Sequence, residues 1–139
     1  MATSLKRWAK KLAAGDPAAA AIAAAGPAIQ AIAVAMMRAG MDASVSPDGT
    51  PYAPLKKQRP GNRGAGPLID TGLLRASLSA SVTTDQLTLR ASRAGAATHQ
   101  FGSKSVPARP YLGLSPAAVA AIDAVIAREY AKALAETAS

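Results

Sequence analysis

Residues 17–37 hold no charged side chain over 21 consecutive positions. A run of that length is a membrane span, a secretory signal or a core helix. Its composition favours the core. Most of the run is Ala, which is nearly neutral toward lipid, and only Ile22, Ile29, Ile32, Val34, Met36 and Met37 are strongly apolar. Gly26-Pro27 interrupts the middle, and Gly15-Asp16-Pro17 separates the run from the basic start of Lys6, Arg7, Lys10 and Lys11. No membrane partner is therefore expected. Asp16 is a good N-cap and Pro17 suits the first helical position. The helix should run from Pro17 to Ala39, with a kink or break near Pro27, because proline removes a backbone donor and clashes with the turn before it. Ile29, Ile32 and Met36 should form its buried stripe, and Gly40 should stop it.

The segments on either side build the rest of one domain, residues 1–139. Residues 1–15 form a short basic helix with Leu5, Trp8 and Leu12 on one face. Residues 44–67 form a long loop in which 9 of 24 residues are Pro or Gly. Its S-P-D-G-T-P is a turn signal, and its middle carries Lys56, Lys57, Arg59 and Arg63 with no acid. Asp70 should cap a helix from Thr71 to about Ser77. Leu78, Ala80 and Val82, then Leu87, Leu89 and Ala91, alternate with polar residues, the signature of a hairpin with one buried face. Ala96 to Phe101 reads as a helical turn ended by Gly102, and Arg109 to Leu114 as a third strand. Ser115-Pro116 opens a closing helix to about Glu136, with Val119, Ile122, Ile126, Tyr130 and Ala133 on its inner face. The predicted fold class is α+β: a small antiparallel sheet, hairpin plus third strand, packed by an N-terminal helical segment and a C-terminal helix.

Enzyme readings fail for want of parts. With no Cys and a single His, thiolate sites and histidine metal triads are excluded. No G-x-S-x-G elbow occurs, and Gly61, Gly64 and Gly66 match a phosphate loop only by count. Asp42, Asp48, Asp70 and Asp85 sit at turns and caps, where structure alone explains them. The expectation is no catalysis and no cofactor. Net charge is +8, divided as +4 in residues 1–40, +5 in 41–110 and −1 in 111–139. Such a balance suits polyanionic partners, or simple solubility.

The least generic stretch is Ala96 to Pro116. The only His, the only Phe and one of three Tyr fall within 13 residues, His99 to Tyr111. The bland reading makes His99 a satisfied histidine in a helical turn, and Phe101 and Tyr111 core aromatics under the last helix. Arg109 stands between Pro107 and Pro110 on a segment held extended, since a residue before proline avoids the helical region. It suits either docking on an acidic neighbour or pairing with an internal carboxylate such as Asp70. Lys104 lies in the loop between, and Arg75 in the helix that begins at Asp70. The loop cations are a solvated loop by default, or a segment that orders only against a partner.

Four blocks in fixed order carry a family likeness: S-P-D-G-T-P-Y-A-P-L-K-K, L-I-D-T-G-L-L-R-A-S-L, A-A-T-H-Q-F-G and V-P-A-R-P-Y-L-G-L-S. Together, over roughly residues 40–136, the chain resembles the phage virion morphogenesis family, the tail-completion proteins of Mu-like and P2-like tailed phages. It departs at Tyr52, where the family usually has Trp, at Thr98, where an aliphatic is common, and in the Ala-rich helix. The resemblance implies a structural protein of the head–tail junction, in the virion and assembled in the host cytoplasm. It implies self-association into a six-fold ring that meets neck, portal-side or tail-tube proteins, with a lumen able to contact DNA. Arg75, His99, Phe101, Lys104, Arg109 and Tyr111 are the candidate contact residues, and Lys56, Lys57, Arg59 and Arg63 the candidate basic loop. The rival readings are a basic nucleic-acid-binding protein, an assembly factor absent from the finished particle, and a minor hydrolase dependent on His99.

Overall fold

The computed structural model describes residues 17–55, 66–69 and 72–138. The expected helix in residues 1–15, the cations Lys56, Lys57, Arg59 and Arg63, and the Asp70 cap lie outside the described residues.

The uncharged run forms one helix, α1, Pro17–Ala43, which continues through Pro27 without a break. Pro27 is exposed, as is Ala23, whose carbonyl loses the proline's missing N–H. Water can satisfy that carbonyl, so the proline is tolerated. The buried stripe recurs every fourth residue: Ala21, Ala25, Ile29, Ala33, Met37 and Met41. Ile32 and Met36, expected in it, are only half-buried. Gly40 does not end the helix. Four residues later Ser44 takes a left-handed φ of 60°, with Ser44 N–H donating to Met41 O at 3.2 Å and Val45 N–H to Gly40 O at 2.9 Å. That paired pattern is a Schellman cap with serine in the position glycine usually fills.

The hairpin follows the expected alternation. Strands β1, Leu78–Val82, and β2, Leu87–Ala91, pair antiparallel with Leu78 opposite Ala91 and Val82 opposite Leu87. The turn is closed by Thr83 N–H to Gln86 O at 2.8 Å and pinned by Thr83 Oγ1 donating to Asp85 Oδ1 at 3.1 Å. Two short helices flank the hairpin: α2, Leu73–Ala76, which starts behind Gly72 rather than at Thr71, and α3, Ala96–Phe101.

Among the described residues the sheet has two strands, not three. The expected third strand, Arg109 to Leu114, is irregular chain that bends at Leu112 and Gly113 and has no strand partner among the described residues. Pro107 and Pro110 have no amide to offer a ladder. The amides of Tyr111 and Leu112 are taken by one side chain, Gln100 Oε1, at 2.9 and 3.0 Å.

The closing helix α4, Pro116–Ala138, begins where expected, with Ala118 N–H donating to Ser115 Oγ at 3.1 Å. It lies antiparallel to α1: Ser115 and Ala117 line one cavity with Met36 to Gly40, while Ile122, Val125 and Ile126 meet Ala25 and Ile29. Its inner face meets the expected one at Ile122 and Ile126 but departs from it at Val119 and Tyr130. Ala118 and Ile122 are buried, whereas Val119, Tyr130 and Leu134 are 42%, 40% and 44% exposed. Alanines at 21, 25, 33 and 118, all nearly inaccessible, let the two helices approach closely. A second core cluster gathers Met37, Met41, Tyr52, Leu74, Leu78 and Tyr111 between α1, the hairpin and the 96–116 segment. By length and composition α1 would also pass for a membrane span; here its stripe faces α4 and β1.

Candidate assembly site

The 96–116 segment is a clasp built from backbone hydrogen bonds. Helix α3 has only six residues and no side-chain N-cap, so local propensity cannot hold it. The returning chain does. Arg109 N–H donates to His99 O at 2.8 Å, the Gln100 side chain receives Tyr111 and Leu112, and Tyr111 Oη donates to Ala96 O at 2.8 Å. Between the two limbs Gly102 makes the reversal at φ 78°, ψ 175°. The following loop is closed by Ser103 N–H to Val106 O at 2.8 Å and Val106 N–H to Ser103 Oγ at 3.2 Å.

Arg109 is 4% exposed. Its Nε donates to Ala53 O at 2.7 Å and its Nη2 to Pro54 O at 3.0 Å. The planar fork thus ties the end of the 44–55 segment to the clasp, a geometry lysine lacks. The expectation that Arg109 offers a docking surface is corrected by this burial: it is an internal clamp. Tyr111, 1% exposed, is likewise internal rather than a contact residue. Tyr52 closes the same junction, its Oη donating to Pro110 O at 2.9 Å. Burial, with Tyr111 nearby, pushes the Tyr52 phenol up to about 12, and burial also raises Tyr111.

The S-P-D-G-T-P turn is folded as its sequence implies. Val45 pairs with Pro51, Ser46 N–H donates to Thr50 O and Gly49 N–H to Ser46 O, both at 2.9 Å. Asp48 accepts from Ser46 Oγ and from Thr50 N–H. Those bonds, the Ser46 hydroxyl first, lower its carboxyl to about 2.

Arg75 pairs with Asp42 at the end of α1, while Asp70, the carboxylate expected as an internal partner for Arg109, lies outside the described residues. Its Nε and Nη2 each lie 2.9 Å from the Asp42 carboxylate, and Arg38 Nε donates to Arg75 O at 3.2 Å. The bidentate hydrogen bond holds the Asp42 carboxyl below its usual range and Arg75 above its own. His99 is half-buried, in the wall of a cavity shared with Leu55, Leu68, Leu74, Arg93 and Arg109.

Phe101 does the opposite of what the bland reading expects. It is 78% exposed. Lys104, three residues on, is also exposed. Of the six candidate contact residues, Phe101 and Lys104 are thus openly displayed, Arg75 is half-exposed in its ion pair, and His99, Arg109 and Tyr111 belong to the clasp's interior. Gln100 and Asp42 were missed. Gln100 had a weak signal, an amide seven residues before the Pro-flanked stretch; Asp42 had none, being 33 residues from Arg75.

The sequence model of the phage virion morphogenesis family matches residues 2–131. No curated protein and no solved structure matches the chain. A match over nearly the whole length establishes membership and with it a role in building the phage particle. The chain belongs to the phage virion morphogenesis family.

Proposed function

We propose that this protein is a structural, non-catalytic component of the head–tail junction, where it forms a ring, six-fold by the family likeness, that completes or terminates the tail. The observation that carries the assembly reading is Phe101: the chain's only phenylalanine stands 78% exposed on a short helix locked from behind. A large aromatic displayed on a rigid support is the kind of residue that anchors an interface. A structural role is supported by what the polar side chains do. Arg109, Gln100, Tyr52 and Tyr111 each bond backbone groups of the chain itself, which leaves them occupied in holding shape. The partners are further copies of the chain, the neck or portal-side proteins above and the tail tube below. Cations on a +8 chain can line a lumen that meets DNA without reading its sequence. No membrane or cofactor takes part; α1 serves as a core helix, its stripe set against α4 and β1.

Electron microscopy of a lysate in which the gene carries an early stop codon tests the reading. DNA-filled heads beside unattached or over-long tails are expected. Normally joined particles would overturn it. Mass spectrometry of purified particles then separates a ring retained in the virion from a factor that leaves after assembly.

A further inference from the structure

Phe101 has a counterpart elsewhere on the surface. Between α1, α4 and the hairpin turn lies an apolar groove of about 210 Å³, walled by Ile22, Ile29, Val82, Leu87, Ile122 and Ile126. An apolar cavity of about 150 Å³ accepts benzene, so the groove has room for a phenyl ring. Its rim is acidic. Asp85 lines it, and Asp123 is exposed on α4 between Ile122 and Ile126. The segments that form it, residues 17–37, 82–87 and 116–127, contain those two acids and no cation. The Phe101 side is the reverse. From residue 86 to residue 122 the chain has no acid, and Arg93 and Lys104 are exposed close in sequence to Phe101. The ring does not fill its own groove, since it is 78% exposed.

We infer that Phe101 of one copy seats in the α1–α4–hairpin groove of a second copy, with Lys104 against Asp85 at the groove's lip. Knob and groove lie at different places on one chain, so each copy can give one contact and receive another. Repeated head to tail, such a contact closes into a ring if the rotation allows. The inference rests on the ring proposed above and names its interface. The ring supplies the apolar anchor, and charge complementarity fixes partner orientation more than strength.

The chain has no cysteine, so Lys104→Cys and Asp85→Cys each introduce one thiol. The two purified variants are mixed with a short bis-maleimide cross-linker. A linked heterodimer is expected in the mixture and little product in either variant alone. Adding Phe101→Ala to the first partner should weaken association by about 10- to 100-fold, while melting temperature stays unchanged because the ring touches little of its own fold. Gln86→Trp, a bulky residue at the groove's exposed lip, should weaken it similarly from the other side. A wild-type chain that stays monomeric at every concentration reached would overturn the inference. So would cross-linking only within single variants, or association indifferent to both Phe101→Ala and Gln86→Trp. If docking fails while the stop-codon lysate still shows unjoined heads and tails, only this interface is wrong. If docking holds while that lysate contains normal particles, only the head–tail role is wrong.

Discussion

Replacing Gly102 with alanine should be the most damaging one-carbon change available to the clasp. The backbone there stands at φ 78°, ψ 175°, a region populated almost solely by glycine, where another residue costs about 1–3 kcal/mol. The added Cβ would also meet backbone, not a movable side chain: Ala108 N at 2.9 Å, Val106 O at 3.0 Å and Ala108 Cα at 3.2 Å. Forcing a carbon into packed structure costs about another 1–3 kcal/mol. The sum, about 4 kcal/mol, corresponds to a fall in melting temperature of roughly 10–20 °C for a chain of this size. Gly49→Ala isolates the first contribution, since Gly49 also has positive φ, 90°, but its Cβ would have nothing within 4 Å; it should lose only about 1–2 kcal/mol. Urea unfolding followed by circular dichroism measures both, with an unchanged m-value as the check that the native state is the same. A Gly102→Ala protein no less stable than Gly49→Ala would refute the reasoning, for it would mean that the 106–108 segment is free to move aside and that α3 is not clasped.

Three further outcomes follow from the same geometry. Gly26→Ala should stabilise by about 0.5–1 kcal/mol in urea unfolding, because Gly26 is buried mid-helix, its Cβ would sit 3.9 Å from Val82 Cβ, and alanine holds a helix better. Arg109→Lys should destabilise by about 2 kcal/mol despite keeping the charge, because one ammonium does not reproduce the fork to Ala53 O and Pro54 O; a loss below about 0.5 kcal/mol would rule out the clamp. Asp48, held at about 2 chiefly by the Ser46 hydroxyl, has a folded pKa below its unfolded value. Its contribution is therefore complete above the unfolded carboxylate pKa near 4 and lost as pH falls through about 2. Carboxyl NMR should place the midpoint near 2 and show it moving up in Ser46→Ala.

Much of the fold is written in local signals. The hairpin follows from period-two alternation, α3 from the stretch before Gly102, and the start of α4 from Ser115-Pro116, each a matter of neighbouring residues. What escapes is decided at a distance. The helix α1 passes Pro27 because that residue happens to face solvent, which only packing reveals. The false third strand has the right residues, but Gln100 reaches its amides first, and no spacing rule announces a side chain 11 residues away. The inner face of α4 is met at Ile122 and Ile126 and missed at Val119 and Tyr130, because so many of its positions are small. With alanine on every side, the large residues Val119 and Tyr130 look like core, yet the face that meets α1 is the one where alanine permits contact. In the 96–116 stretch the residues are disposed otherwise than their types suggest. Arg109 looked like a surface group because arginines usually are, and Phe101 like core for the matching reason.

That inversion bears on assembly. In the clasp Arg109 and Gln100 turn inward to hold backbone, and the one phenylalanine turns outward. A six-residue helix presented on a loose loop would have to be ordered at the moment of docking, and each immobilised side chain and loop residue would weaken association. Here the ordering occurs when the subunit folds. Arg109 fixes the limb against residues 53–54, Gln100 and Tyr111 fix it against α3, and Gly102 sets the angle between them. Phe101 is then displayed in one orientation before any partner arrives. The consequence is that clasp variants should weaken association as well as stability, whereas Phe101→Ala should weaken association alone. Arg109→Lys and Phe101→Ala therefore form a pair: the ratio of their effects on self-association, measured well below the melting temperature of both, reports how far rigidity rather than contact area sets the affinity.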